Sequence, residues 1–277
     1  MKTIKTILIL CVVLFFATSC KKDVDMTLLQ KTVLENTVIR QIEVSDAWEV
    51  TIIADSNAYV ELEFSAYLEP YLKAKLEGTQ LEIGFTGKVY PANNSVFRAI
   101  VHVDQLERVD IEDAASVSFS GIIEGHDLLV ELSDASVCGG LSFIGDHCEF
   151  KLEEASKLLD FQFNGISCKA VVHDASQFNG QIHATDFLDI ELNDKSRFVN
   201  KGGNTAEATV KVMDASLLNM AETLVNEMNI ELSDVSEATV WVSGLIMGNL
   251  TGASTLYYKG NPQIQIDIDD SSEIIPL

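Results

Sequence analysis

The chain has 277 residues, 47% of them hydrophobic, and carries 42 acidic against 19 basic side chains for a formal charge of −23. So acidic a surface argues against nucleic acid as a partner, because phosphate contacts need clustered Lys and Arg. Five Cys with no Cys-x-x-Cys spacing argue against a zinc module, and with only four Pro and no Pro/Gly/Ser-rich linker nothing divides the body of the chain.

The N-terminus reads as an address. Lys2 and Lys5 precede an apolar run from Ile7 to Phe16, and Ala17, Thr18 and Ser19 stand directly before Cys20. This layout predicts a lipoprotein signal peptide over residues 1–19, removed so that Cys20 becomes the lipidated first residue. The run is too short to span a bilayer comfortably. Residues 20–37, beginning Lys21-Lys22-Asp23-Val24-Asp25, predict a polar tether.

Residues 38–106 carry alternating segments such as Val60-Glu61-Leu62-Glu63-Phe64 and Leu81-Glu82-Ile83-Gly84-Phe85, which predict strands with one face inside. A short helix is expected from Leu68 to Leu76 and an exposed loop from Gly87 to Ser95. This region is expected to begin and cap a longer stack of coils, since an open first coil would expose apolar surface and strand edges.

Residues 107–277 are periodic. Ser returns every 20 residues at Ser136, Ser156, Ser176, Ser196, Ser216 and Ser236, then at Ser254 and Ser272 after two steps of 18. Two before each Ser stand Asp134, Glu154, Asp174, Asp194, Asp214, Asp234, Gly252 and Asp270, usually followed by Ala. The positions eight, six and four before the Ser and two after it are apolar, as in Leu188, Ile190, Leu192 and Phe198. A fixed period of this size marks a solenoid, in which each coil buries its apolar side only against its neighbours. Short strands at constant spacing, with no helical pattern between them, predict an all-β, single-domain parallel β-helix with rungs of about 20 residues. Like residues then stack about 4.8 Å apart, aliphatic ladders inside and a Ser ladder beside an acidic one at a bend. Asp tolerates the left-handed backbone region and caps its own backbone, and Gly enters that region freely. Gly252 therefore fits the acidic column, and Glu154 fits it least. A second turn is marked by Gly121, Gly140, Asn164-Gly165, Asn179-Gly180, Gly202-Gly203 and Gly260. The first copy, Asp113-Ala114-Ala115-Ser116, has one Ala too many for both Asp113 and Ser116 to be in register.

The bends Ser133-Asp134-Ala135-Ser136 and Thr251-Gly252-Ala253-Ser254, with the opening Ile42-Glu43-Val44-Ser45-Asp46-Ala47-Trp48-Glu49-Val50-Thr51-Ile52, resemble the auto-transporter adhesin head GIN domain family over about residues 38–277. In that family the bend usually reads Ser-Gly-Ala-Ser, and the Gly is kept here only at Gly252. The resemblance implies a right-handed β-helix on a bacterial cell-envelope protein, commonly from Bacteroidota, and it supplies no catalytic residues. The charged stretch after Cys20 resembles the surface-export signals of Bacteroidota lipoproteins, which implies a lipid-anchored protein of the outer membrane, exposed at the cell surface.

Candidate sites are few. Six consecutive carboxylates from Asp134 to Asp234 would repel by about 0.9 kcal/mol per adjacent pair even at the dielectric of water. Each is expected to accept backbone N–H bonds at its own bend, with a bound cation as the competing reading; only Lys157 and Arg197 lie near them. Asp267, Asp269, Ser271 and Glu273 resemble a calcium loop but lack its Gly, so they read as structural. Cys148 and Cys168 stack closely enough for a disulfide, yet they sit in an apolar column and read as buried thiols. The five His form no cluster and read as solvated. No His-Glu-x-x-His, Gly-x-Ser-x-Gly or Walker loop is present. The expected function is non-enzymatic adhesion or surface interaction with a protein or glycan ligand, without cofactor or metal. The alternative is a glycan-binding or calcium-dependent glycan-cleaving β-helix, favoured by an acidic groove with convergent Arg or Lys. Trp241 and Tyr257-Tyr258 are the suggestive aromatic platforms.

Overall fold

A computed structural model of the protein describes residues 24–277; the signal segment and Cys20 lie outside the described residues. The described residues are 64% strand and 2% helix, wound into a β-solenoid of about 8 turns with roughly 20-residue rungs. Its strands join one network of 23.

The periodic columns become parallel, in-register ladders. Leu128, Cys148, Cys168, Leu188, Ala208 and Met228 pair in succession, and Val130, Phe150, Ala170, Ile190, Val210 and Ile230, two residues on, are fully buried. The strand His147–Leu152 alternates outward and buried positions, as a half-buried strand must. Aromatic rings stack through the core of the middle rungs: Phe178 stacks on Phe150 at 4.7 Å and on Phe198 at 4.4 Å between centroids. On the last described rung the columns lose their cover, and Ile264 and Ile268 are exposed.

The first coils are built differently. The strand Gln41–Val44 pairs in parallel with both Gln80–Phe85 and Arg108–Ile111, and Glu49–Ala54 pairs with both Phe97–Val103 and Ser116–Ser120. Antiparallel strands are added at this end, Tyr59–Ser65 lying between Leu28–Val33 and Phe97–Val103. The tether expected over 20–37 thus contributes a strand, because Leu29 and Val33 reach the core. The helix expected from Leu68 to Leu76 is a 3-10 turn over Ala66–Tyr71 followed by the strand Leu72–Glu77. Pro70 lies inside that turn and offers no N–H to continue it as an α-helix.

Two of the expected second-turn markers are not turns. Gly165 and Gly180 lie within the strands Lys157–Val172 and Gln177–Leu192. A Cβ at Gly165 would stand 2.1 Å from the Gly145 carbonyl oxygen, and one at Gly180 would stand 2.5 Å from that of Phe161. Close approach of neighbouring rungs, rather than a left-handed backbone, selects Gly there. One His also departs from expectation: His102 is buried, stacked on Tyr59 at 4.0 Å with Nδ1 3.1 Å from Asp55.

Candidate functional site

The bend is a β-turn of the mirror-image type I′. The Ser136 N–H donates to the Ser133 carbonyl at 3.1 Å, and both central residues, Asp134 at φ 52° and Ala135 at φ 60°, are left-handed. The same pair of angles recurs through Asp234-Val235 and Gly252-Ala253. The second central residue is therefore as constrained as the Asp, including β-branched Val235 at φ 64°. Between rungs the bends bond head to tail: the Ala155 N–H donates to the Asp174 carbonyl and the Ala175 N–H to the Asp194 carbonyl, each at 2.9 Å.

Ser136 to Ser236 point inward and are buried. The Ser136 hydroxyl donates to the Ile111 carbonyl at 2.9 Å, and the Ser236 hydroxyl to that of Val212 at 2.8 Å. Ser176 Oγ accepts the Ser156 N–H at 3.1 Å. A hydroxyl on one carbon is small enough for the inside of the turn and satisfies backbone groups that water cannot reach. Two earlier copies escape the pattern. Asp46-Ala47 and Asp113-Ala114 are also left-handed, but Trp48 and Ala115 occupy the Ser place. The Val137 N–H donates to the Ala115 carbonyl as Lys157 does to that of Ser136, which puts Asp113 in register and moves Ser116 out of it.

The carboxylates form an outward ridge. Asp174, Asp194, Asp214 and Asp234 border an open depression of about 630 Å³, with Lys195 among them. Capping of each bend by its own carboxylate does not occur along this stretch; the left-handed backbone accommodates Asp there, as it does the Ala, Lys or Val that follows. Asp269, on a bend outside the six, does cap: it accepts the Gly252 N–H at 2.9 Å and the Ser271 N–H at 3.1 Å, and the Ser272 hydroxyl first, then these bonds, hold its carboxyl down at about 2. Glu154 is pushed up by hydrogen bonding to Asp134 and by its charge. Among the described residues, no three His, Cys, Asp or Glu side chains converge as metal ligands do, and neither Lys157 nor Arg197 forms an ion pair.

Cys148 and Cys168 are ladder partners and, with Cys138, are free and buried. Burial pushes the Cys138 thiol up to about 12, and burial followed by the neighbouring Cys148 raises Cys168. A thiol that does not ionise is a poor nucleophile and a poor metal ligand.

A charged groove lies on the outward face of an adjacent sheet. Glu43, Asp110, Glu131 and Lys151 fall in one column of successive rungs and border a depression of about 450 Å³. Arg108 Nε donates to both Asp110 oxygens at 2.9 and 2.7 Å, its Nη2 reaches Glu131, and Lys151 donates to Glu131 at 2.8 Å. Burial raises the Asp110 carboxyl despite Arg108, and raises Glu112, whose acidic neighbours Asp113 and Glu43 add to the effect. A second depression, about 590 Å³, lies on the first coils, where Arg98 reaches Glu49 at 2.8 Å and Glu63 at 3.7 Å.

Residues 40–262 match the family described as "Putative auto-transporter adhesin, head GIN domain". The chain belongs to this family. The GIN fold is shared with solved structures of low sequence identity. A putative adhesin from Parabacteroides distasonis is 15% identical with a TM-score of 0.68, covering 91% of this chain and 98% of its own. A putative adhesin from Parabacteroides merdae is 14% identical with a TM-score of 0.64, covering 92% and 98%. A protein described as a putative lipid binding protein, also from P. distasonis, is 15% identical with a TM-score of 0.62, covering 90% and 96%. No curated protein matches the sequence.

Proposed function

We propose that this GIN-domain protein is a lipid-anchored component of the outer membrane, tethered through Cys20, which presents its solenoid at the cell surface for adhesion to a protein or glycan and catalyses nothing. Membership of a family named for adhesins supports the reading. The observation that carries it is the outward surface itself: rungs held in register by backbone ladders, offering open depressions rather than an enclosed cavity. Its most prominent cations, Arg98, Arg108 and Lys151, are already paired with neighbouring carboxylates. Such a surface binds by shape over several rungs without preorganising a reacting group.

The glycan-binding alternative draws on the charged groove, where Arg108 and Lys151 do converge among carboxylates. Two measurements separate the readings. Displayed on a non-adherent bacterial host, the full chain should confer attachment to epithelial or bacterial surfaces, and Cys20→Ala should release it from the membrane or leave it unprocessed. Attachment abolished by Arg108→Ala with Lys151→Ala, and by competing saccharides, would favour the groove; normal lipidation of Cys20→Ala would refute the anchor.

A further inference from the structure

From residue 212 to the C-terminus the sequence holds ten Asp and Glu but a single cation, Lys259. That ammonium enters none of the ion pairs among the described residues. It stands over an aromatic ring instead, 3.9 Å from the centroid of Trp241. The arrangement follows from register: Trp241 pairs with Lys259 and Thr239 with Tyr257. Ala238, Val240, Val242 and Leu256 face the core, so Thr239, Trp241 and Tyr257 face out, both rings half-buried. Tyr258 turns toward the core.

Glu237 lies on the same strand, four residues from Trp241, which is about 13 Å along an extended chain. Charges that far apart are largely screened at physiological salt, where the Debye length is about 8 Å. Glu222, in the irregular stretch where the register between the two neighbouring strands shifts, is the other acid near in sequence order to this face, and it too leaves Lys259 unpaired.

We propose that this face is the contact site for an acidic sugar, deepening the adhesion reading on which it rests. A pyranose presents a face of C–H groups that packs against the electron-rich face of Tyr257 and the exposed part of Trp241. Its carboxylate or sulfate then takes the Lys259 ammonium, a point charge held in place by the indole but not neutralised by it. A neutral sugar would use the rings and leave the cation idle; a protein carboxylate would use the cation and leave the rings idle.

The chain has two Trp and Trp48 is fully buried, so ligand quenching of fluorescence reports Trp241. The full chain is titrated with 3′-sialyllactose, trigalacturonate and a chondroitin sulfate tetrasaccharide, with lactose as the neutral control. Saturable quenching by at least one acidic saccharide and none by lactose is expected. Lys259→Gln and Tyr257→Ala should each weaken it at least tenfold at an unchanged melting temperature, and Lys259→Arg should retain it. Absence of saturable binding to all three acidic probes overturns the proposal, as does binding that survives Lys259→Gln. Attachment by the displayed protein that persists in Lys259→Gln sinks this site alone, whereas a parent chain that confers no attachment sinks the adhesion reading.

Discussion

The first coils and the later rungs solve the same problem with different residues. From Ser136 onward, every bend turns on a buried Ser that bonds a neighbouring rung. At the first coil Trp48 takes that place, packed against Phe85 and Phe97 at 5.6 and 5.9 Å between centroids, its indole N–H without a partner. A coil with rungs on both sides has backbone groups for a hydroxyl to satisfy at close range. The first coil, which carries the antiparallel cap strands, has volume to fill, and the Trp48 ring fills it, while Ala115 takes the Ser place one coil on. The repeat's polar ladder therefore depends on having neighbours of the same shape, and the first coil replaces it with apolar mass, whereas the last described rungs keep it in Ser254 and Ser272.

Exchanging the two residues tests this most severely. Trp48→Ser restores the repeat residue but leaves a cavity and should cost about 3–5 kcal/mol. Ser176→Trp should unfold the central rungs outright, since the inside of that turn has no room. Denaturant unfolding of both variants is the measurement, and a mild effect of either would dissolve the distinction.

Asn200 carries the same contrast into the regular region. Where the rung opens at Lys201-Gly202-Gly203, its Oδ1 accepts the Ile182 N–H at 2.8 Å and its Nδ2 donates to Thr223 Oγ1 at 2.9 Å. The side chain substitutes for a missing backbone partner. Asn200→Ala should cost about 2–3 kcal/mol by leaving buried groups unsatisfied, with hydrogen exchange accelerating first at Ile182.

Smaller and opposite in sign is Val235→Gly. The left-handed backbone strains a β-branched residue, and Gly should raise stability by up to about 1 kcal/mol after its own entropic cost. A loss would mean that the strain is absorbed elsewhere.

The smallest effect concerns protons. Asp110, Glu112, Asp189 and Glu154 have raised folded pKa values, the first three by burial and Glu154 by Asp134. A raised acid contributes stability below its unfolded pKa and loses it as pH rises through the folded one. Asp55 and Asp269 are lowered by hydrogen bonds, so their contribution is present above about 3.8 and lost on further acidification. The melting temperature should therefore climb as the pH falls toward about 4.5, the ordinary Glu value, and the lowered acids should reverse the climb below about 3.8. Glu154→Gln should flatten part of the climb, and Asp174→Asn with Asp194→Asn should leave stability unchanged or improved, with or without calcium. A calcium-dependent rise in the parent chain, lost in that double variant, would make the ridge a cation site.

The periodic Ser, the acid two residues before it and the apolar columns were enough, as sequence, to establish stacked rungs, because in a solenoid each residue's neighbour is the same residue one period away. Register is then arithmetic. Sequence also placed Trp241 and Tyr257-Tyr258 as aromatic candidates, and alternation could have told which Tyr faces out. It was silent on the charged groove, since Glu43 and Asp110 become neighbours only when the cap strands between them are inserted as an excursion from the coil. It also missed the strands Leu28–Val33 and Leu72–Glu77, where short apolar spacings take their structure from antiparallel partners elsewhere in the chain. Local periodicity determines what repeats; tertiary structure alone decides what happens where the repeat begins, because a first coil has no preceding copy to define its contacts.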